Sequence, residues 1–325
     1  KRYTADPEAY ALYVEARYQE SQRIRDQRFS LNDGIGLLEQ AVQKDPSYAL
    51  AWAALGEMYA ASGAFAMMPP RDAFPKAKIA VQQALQLDDE LSDAHCGAGV
   101  ISMYWDLEYA RAEREFSRAL QLNPRNTLAL MHYGRLLLCL GRFDESIALR
   151  KREIEIDPLN PGVQSFLAAT YCTARRDELA IQQNQLVLRL DPGFSFAHTS
   201  LARLYTLRRE YDKGIAEARE GVRTEKGIGY GLQSLAMLGY ALGMAGRKSE
   251  AAEILDRIKD DPRVLPFDVA IVQLALGNRD EVFRLLDKAL NDRTYGLRLK
   301  AEPIFEPLHS DPRFKDLLRR ARLES

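Results

Sequence analysis

Apolar residues recur along this chain at spacings of three and four, with charged residues between them, over nearly its whole length. This spacing gathers apolar side chains on one face of an α-helix. The stretch after Asp6 shows it first: Pro7 suits a first helical turn, and Tyr10, Val14 and Tyr18 follow on one face. The pattern therefore predicts an all-α protein built from many amphipathic helices.

The helical pattern itself repeats at a fixed period. Three consecutive segments begin at Thr127, Pro161 and Ser195, 34 residues apart, and follow one template. A period of this length is typical of helix-turn-helix units stacked in series. We expect a right-handed α-α superhelix of about seven or eight helical hairpins, closed by a C-terminal capping helix.

The template divides the whole chain into one elongated array. We expect an N-terminal hairpin at 1–46, repeats at 47–90, 91–126, 127–160, 161–194, 195–228, 229–262 and 263–291, and a cap at 292–325. An apolar, proline-stiffened insertion spans 65–74, and a helix is expected to start after it at Pro75. The insertion is interpreted as a loop packed on its own repeat or as a functional lid.

Small residues recur at one position of the first helix of each unit. We expect them where the two helices of a hairpin cross, because a larger side chain there would push the pair apart. The positions are Gly56, Gly99, Gly134, Ala168, Ala202 and Gly239.

The residue types that recur at these template positions resemble the tetratricopeptide repeat family from end to end of the chain. The stretches 1–4, 7–10, 45–51, 68–70 and 310–314 (KRYT, PEAY, DPSYALA, MPP and SDPRF) further resemble a group of bacterial multidomain proteins. In that group the array follows a winged-helix DNA-binding domain of the CadC/HilA-like type, a Ser/Thr kinase domain or an adenylate cyclase domain. The resemblance implies the C-terminal regulatory or sensory part of a transcriptional regulator or signalling protein, and it leaves the effector open. Consistent with this, the chain does not begin with Met.

Charge and hydropathy exclude several classes of partner. The net charge is −1, with 45 basic and 46 acidic residues, so no positive field attracts nucleic acid. No apolar run approaches the roughly 18 residues of a membrane span, and the first residues are not a secretory signal.

Three cysteines without framework spacing favour a reducing compartment. We expect a cytoplasmic chain, or a periplasmic one if a membrane anchor precedes it.

Candidate catalytic and metal-binding groups are sparse. No Gly-x-Ser-x-Gly elbow occurs, and the Gly227–Gly231 stretch lacks the Lys-Ser/Thr of a phosphate loop. His95, His132 and His198 fall on first helices of separate units and are interpreted as packing residues, because metal sites need clustered ligands. We therefore predict a non-enzymatic chain without a catalytic, cofactor or metal site.

In this family the first helix of every unit lines the concave groove. Helical spacing then points a mixed set of methionine, aromatic and arginine side chains into it, which suits an amphipathic helix or an extended peptide. The predicted partner groove comprises Met103, Tyr104, Met131, Arg135, Leu138, Phe196, Arg203, Tyr240 and Met244. The family's basic clamp for a terminal carboxylate is absent, since Ala53, Glu57, Cys96 and Val100 hold its places.

The expected function is a protein–protein interaction scaffold that binds a partner protein or peptide. Two alternatives remain: small-ligand sensing, with the Met67-Met68 loop closing a pocket, and self-association into a homodimer. A tightly wound superhelix could also bury the groove residues against itself.

Overall fold

The computed structural model describes residues 4–23, 31–64, 67–225, 232–261, 263–294 and 299–324. All regular structure within these residues is helical, so the prediction of an all-α fold is confirmed. The helices are α1 (Pro7–Arg23), α2 (Leu31–Lys44), α3 (Ala49–Ala64), α4 (Pro70–Leu87), α5 (Ser92–Ile101), α6 (Tyr109–Leu122), α7 (Thr127–Cys139), α8 (Phe143–Ile156), α9 (Pro161–Thr173), α10 (Asp177–Leu190), α11 (Ser195–Leu207), α12 (Tyr211–Thr224), α13 (Gln233–Met244), α14 (Lys248–Ile258), α15 (Pro266–Leu276), α16 (Arg279–Asn291) and α17 (Pro312–Arg320). The Gly227–Gly231 stretch lies outside the described residues.

The helices group into two compact units, Lys1–Leu136 and Leu137–Ser325. In the first unit, α1 packs on α2, α3 on α4 and α5 on α6, which makes three helical hairpins. In the second unit the hairpins are α9/α10, α11/α12, α13/α14 and α15/α16, and α17 packs on α16. Neighbouring first helices also contact each other, α9 with α11, α11 with α13 and α13 with α15.

The hairpins close tightly where small residues were predicted. A Cβ atom added to Gly56 would lie 2.6 Å from Cγ2 of Val81, and one added to Gly99 would lie 2.5 Å from Cε1 of Phe116. Both neighbours belong to the second helix of the same hairpin. The prediction of a close helix crossing is confirmed at these two positions.

The turn inside several hairpins uses the left-handed backbone conformation. Gly141, Arg175 and Arg209 follow the 34-residue period and have φ values of 80°, 58° and 63°. Such a turn reverses the chain within a few residues, and glycine adopts it without the steric cost that other residues bear.

The helix after the insertion starts earlier than predicted. α4 begins at Pro70, and Pro75 lies inside it, so the expected start at Pro75 is wrong. Pro75 falls near the N-terminal end, where its missing N–H removes only one helical hydrogen bond. Phe74 is fully buried and stacks on Trp105 with the ring centroids 5.4 Å apart, and this packing offsets the loss.

Candidate partner-binding groove

The first helices of the second unit, α9, α11, α13 and α15, form one continuous surface, called here the second-unit groove. A short chain segment, Glu302–Leu308, lies across this surface. Its last six residues form a 3₁₀-helical turn, Pro303–Leu308. Contacts from this segment reach α11, α15 and the turn that follows α9, and the charge of Glu302 acts on Tyr240 of α13.

The deepest contact is an ion pair between Arg203 on α11 and Glu302. Nη1 of Arg203 lies 2.9 Å from Oε2 of Glu302, and the two side chains are only 8% and 2% exposed. Burial lowers the pKa of Arg203, but the neighbouring Cys172 and Glu302 raise it, and the net pKa lies above its ordinary value. Arg203 therefore stays charged in a desolvated site, where a charge-assisted hydrogen bond is strong.

Two further first helices surround Glu302. Cys172 on α9 is fully buried, and burial raises the pKa of its thiol, which keeps it neutral. Tyr240 on α13 is also buried; burial and then the charge of Glu302 raise the pKa of its hydroxyl. The carboxylate of Glu302 thus lies among side chains of three consecutive repeats.

The rest of the segment contacts both ends of the groove. Nη2 of Arg175, just after α9, lies 2.6 Å from Oε1 of Glu306 in an exposed ion pair. Phe305 is fully buried, with its ring centroid 5.2 Å from that of Phe267 on α15 and 6.4 Å from that of Phe314 on α17. The second-unit groove is therefore occupied by the chain's own segment.

The predicted groove residues of the second unit divide into two groups. Arg203 and Tyr240 are buried beneath Glu302–Leu308. Leu138 and Phe196 are half-buried, and Met244 is 40% exposed. The sequence assigned residues 292–325 to a C-terminal cap, and it did not reveal the contacts of Glu302–Leu308 with the first helices.

In the first unit, two predicted groove residues are interior. Met103 is fully buried, and the hydroxyl of the buried Tyr104 accepts a hydrogen bond of 3.3 Å from Nη1 of Arg135. Both lie in a π-helical turn, Ser102–Asp106, which continues α5. Such a turn shifts the phase of the helix, so spacing rules for an α-helix do not determine which way the residues within it face. Met131 and Arg135 are half-buried on α7.

A second charged contact joins the first helices of the first unit. Nη1 of Arg17 on α1 lies 2.8 Å from Oε2 of Glu57 on α3, and its Nη2 lies 3.6 Å from Oδ2 of Asp93 on α5. Glu57 is buried. Glu57, which holds one of the places of the family's carboxylate clamp, is thus paired within the unit.

Two histidines form the same contacts in different hairpins. Nδ1 of His95 lies 2.7 Å from Oε2 of Glu115, and Nδ1 of His198 lies 2.7 Å from Oε2 of Glu217. These hydrogen bonds are the main cause of a raised pKa in both histidines. The third, His132, is buried and stacks on Phe116 with the ring centroids 6.3 Å apart.

Two features are absent from the described parts of the chain. No helix there is long and apolar enough to cross a bilayer. No set of three or more His, Cys, Asp or Glu side chains there is arranged to hold a metal ion.

Sequence comparisons point to one family. A model of the tetratricopeptide repeat matches residues 107–161. The TPR repeat-containing protein YpiA of Bacillus subtilis is 21% identical over 81% of this chain and 59% of its own length. The TPR repeat-containing thioredoxin TTL4 of Arabidopsis thaliana is 35% identical over 22% of this chain, and the match spans only 11% of TTL4.

Two solved structures share the fold. Pseudomonas aeruginosa pilF matches with a TM-score of 0.51 and 22% identity, covering 73% of this chain and 99% of pilF. The APC/C hetero-tetramer Cut9–Hcn1 matches with a TM-score of 0.60 and 15% identity, covering 95% of this chain and 55% of the matched chain. These two matches show the shared fold, and the family model supports the tetratricopeptide repeat family over residues 107–161.

Proposed function

We propose that this chain is a non-enzymatic interaction module that binds a peptide or helix of a partner protein in the second-unit groove. The main support is the position of Glu302–Leu308, which lies across the first helices of four repeats. A surface that holds one protein segment through a buried ion pair, an aromatic contact and an exposed ion pair has the shape and charge to hold another.

The same groove offers further contacts beside the segment. Phe196 lies two helical turns before Arg203 on one face of α11, and Met244 lies one turn after Tyr240 on α13. Phe196 is half-buried and Met244 is exposed, so both can contact a bound partner. Methionine and aromatic side chains of this kind adapt to the surface of a helix or peptide.

We further propose that the module is the regulatory or sensory part of a larger bacterial transcriptional regulator or signalling protein in the cytoplasm. The resemblance of several short sequence stretches, such as 45–51 and 310–314, to the sequences of such proteins supports this role. Cys96, Cys139 and Cys172 are buried thiols, as suits a reducing compartment. The balanced net charge supports a protein partner over a nucleic acid.

Selection from a random peptide display library on the full chain tests the binding function. Selected peptides would be titrated by calorimetry against the wild type and against Phe196→Ala and Met244→Ala. The matched control is Leu179→Ala, which removes a similarly exposed side chain from a second helix, α10. We expect each groove substitution to weaken binding and the control to leave it unchanged. Failure to select any peptide, or equal effects of all three substitutions, would contradict the proposal.

A further inference from the structure

The helix that follows Glu302–Leu308 has contacts of its own with α16, besides the contact of its Phe314 with Phe305 of the segment. Arg313 and Arg320 of α17 pair with Asp280 and Asp287 of α16 at 2.7 and 2.5 Å. The guanidinium of Arg313 also lies over the ring of Phe283, 4.0 Å from its centroid. Because α17 has its own contacts with α16, the segment can leave the groove while the terminal helix stays docked.

The buried Arg203 restricts what can replace the segment. If another chain covered Arg203 without supplying a carboxylate, the buried guanidinium would lack a counter-charge, which is strongly unfavourable. An incoming chain therefore has to place a carboxylate beside Arg203. The groove selects for an acidic residue at this point.

The segment also fixes the spacing of the other groups. Phe305, three residues after Glu302, contacts Phe267, and Glu306, one residue later, pairs with Arg175. Each contact belongs to a different part of the groove. A chain that makes all three needs an acidic residue, an aromatic residue three positions later and a second acidic residue directly after it.

We propose that Glu302–Leu308 is an intramolecular ligand that closes the second-unit groove, and that the partner displacing it is a protein segment with the same order of acidic, aromatic and acidic residues. This inference rests on the proposed function, because it names the partner class and the regulation of that groove. The segment and the partner compete, so the apparent affinity for the partner falls with the fraction of molecules in which the groove is closed.

A labelled synthetic peptide with the sequence of residues 300–310 provides the probe. Its binding to the full chain would be followed by fluorescence anisotropy for the wild type and for Glu302→Gln. This substitution weakens the buried ion pair with Arg203. We expect the peptide to bind the variant about tenfold or more tightly than the wild type, because the competing segment is released. Equal affinity for the two proteins, or no binding to a folded Glu302→Gln chain, would overturn the inference.

A charge exchange at the exposed pair gives a second test that does not disturb the buried one. Arg175→Glu repels Glu306, so this chain should bind a peptide carrying Glu306→Lys more tightly than the unaltered peptide. The Glu302→Gln chain, which keeps Arg175, should show the opposite preference. Arg208→Glu is the matched control, because the ion pairs of Arg208 are with Glu178 and Glu210, outside the segment. If Arg208→Glu produced the same exchange of preference, the assignment would be wrong.

These measurements separate the inference from the function on which it rests. If library peptides bind in a manner sensitive to Phe196→Ala but the 300–310 peptide binds no variant, the partner chemistry is wrong and the groove function stands. If neither kind of peptide binds, both proposals are wrong. Should Glu302→Gln fail to fold, the Arg175→Glu exchange decides the inference by itself.

Discussion

Arg203 and Glu302 are 99 residues apart in the chain, yet Nη1 of the arginine lies 2.9 Å from Oε2 of the glutamate in a buried ion pair. This pair joins the first helix of an internal repeat to the segment before the terminal helix. Removing either charge alone would leave the other desolvated and without this counter-charge. The stability of the second unit and the closure of its groove therefore depend on the same contact.

The two acidic residues of the segment should differ sharply in their effect on stability. Glu302→Gln leaves Arg203 buried without a full counter-charge and should lower the free energy of unfolding by about 3–5 kcal/mol. Glu306→Gln breaks an exposed pair with Arg175 and should cost about 1 kcal/mol or less. Urea denaturation of the two variants measures both values. Equal losses would show that Glu302 is not desolvated.

Two glycine substitutions should change stability in opposite directions. Gly99→Ala places a Cβ against the ring of Phe116 and should lower the free energy of unfolding by about 1–3 kcal/mol. Gly36→Ala on α2 meets nothing within 4 Å and should raise it by about 0.5–1 kcal/mol through better helix propensity. Thermal and urea unfolding of both variants test this difference, and an unaffected Gly99→Ala protein would argue against the tight crossing of α5 and α6.

The left-handed turns allow a stabilising substitution. Arg209 has a φ of 63°, so Arg209→Gly should relieve backbone strain and raise the free energy of unfolding by about 0.5–1 kcal/mol. Gly141→Ala is the converse control, because the φ of Gly141 is 80° and an added Cβ would meet no atom within 4 Å. We expect it to lower the free energy of unfolding by about 1 kcal/mol, and this loss would come from backbone strain alone. A neutral result for both, measured by urea denaturation, would contradict the turn geometry.

The histidine pairs should make stability depend on pH. Hydrogen bonds to Glu115 and Glu217 raise the pKa of His95 and His198, so protonation is favoured in the folded state. This stabilisation is complete below the unfolded histidine pKa of about 6.5 and is lost as the pH rises through the higher folded value. The pKa of Glu115 is lowered, chiefly by His95, so its contribution is lost only as the pH falls below the unfolded value of 4.5.

Neighbouring charges modulate these two pairs unequally. Arg118 opposes the charge on His95, whereas Glu220 favours the charge on His198. The free energy of unfolding should fall as the pH rises above about 6.5, the unfolded histidine pKa, and the double variant His95→Gln/His198→Gln should remove much of that fall. Urea denaturation at several pH values is the measurement. An identical pH dependence in the variant would rule out these pairs as its source.

Local patterns in the sequence were sufficient to predict the helices and their tight crossings at Gly56 and Gly99. The spacing of apolar residues predicts helices because one face of each must be buried. The 34-residue period predicts the hairpins, and Gly56 and Gly99 lie at the close contacts that the template assigns to them. Each of these features depends on residues within a single repeat.

The occupied groove could not be predicted in the same way. The buried state of Arg203 depends on Glu302, a residue of the C-terminal cap, and no spacing rule links the two. Spacing also does not predict the burial of Met103 and Tyr104, since they lie in a π-helical turn that alters the phase of the helix. Pro75 was taken as a helix start, although burial of Phe74 extends α4 back to Pro70.

A double-mutant cycle at Arg203 and Glu302 tests the central claim most directly. The free energy of unfolding would be measured by urea denaturation for Arg203→Met, Glu302→Met and the double variant. If the segment lies in the groove, each single substitution leaves a buried charge, and the double variant should be more stable than the sum of the single losses predicts by about 2 kcal/mol or more. Strictly additive losses would contradict the account, because they would mean that the two side chains do not meet.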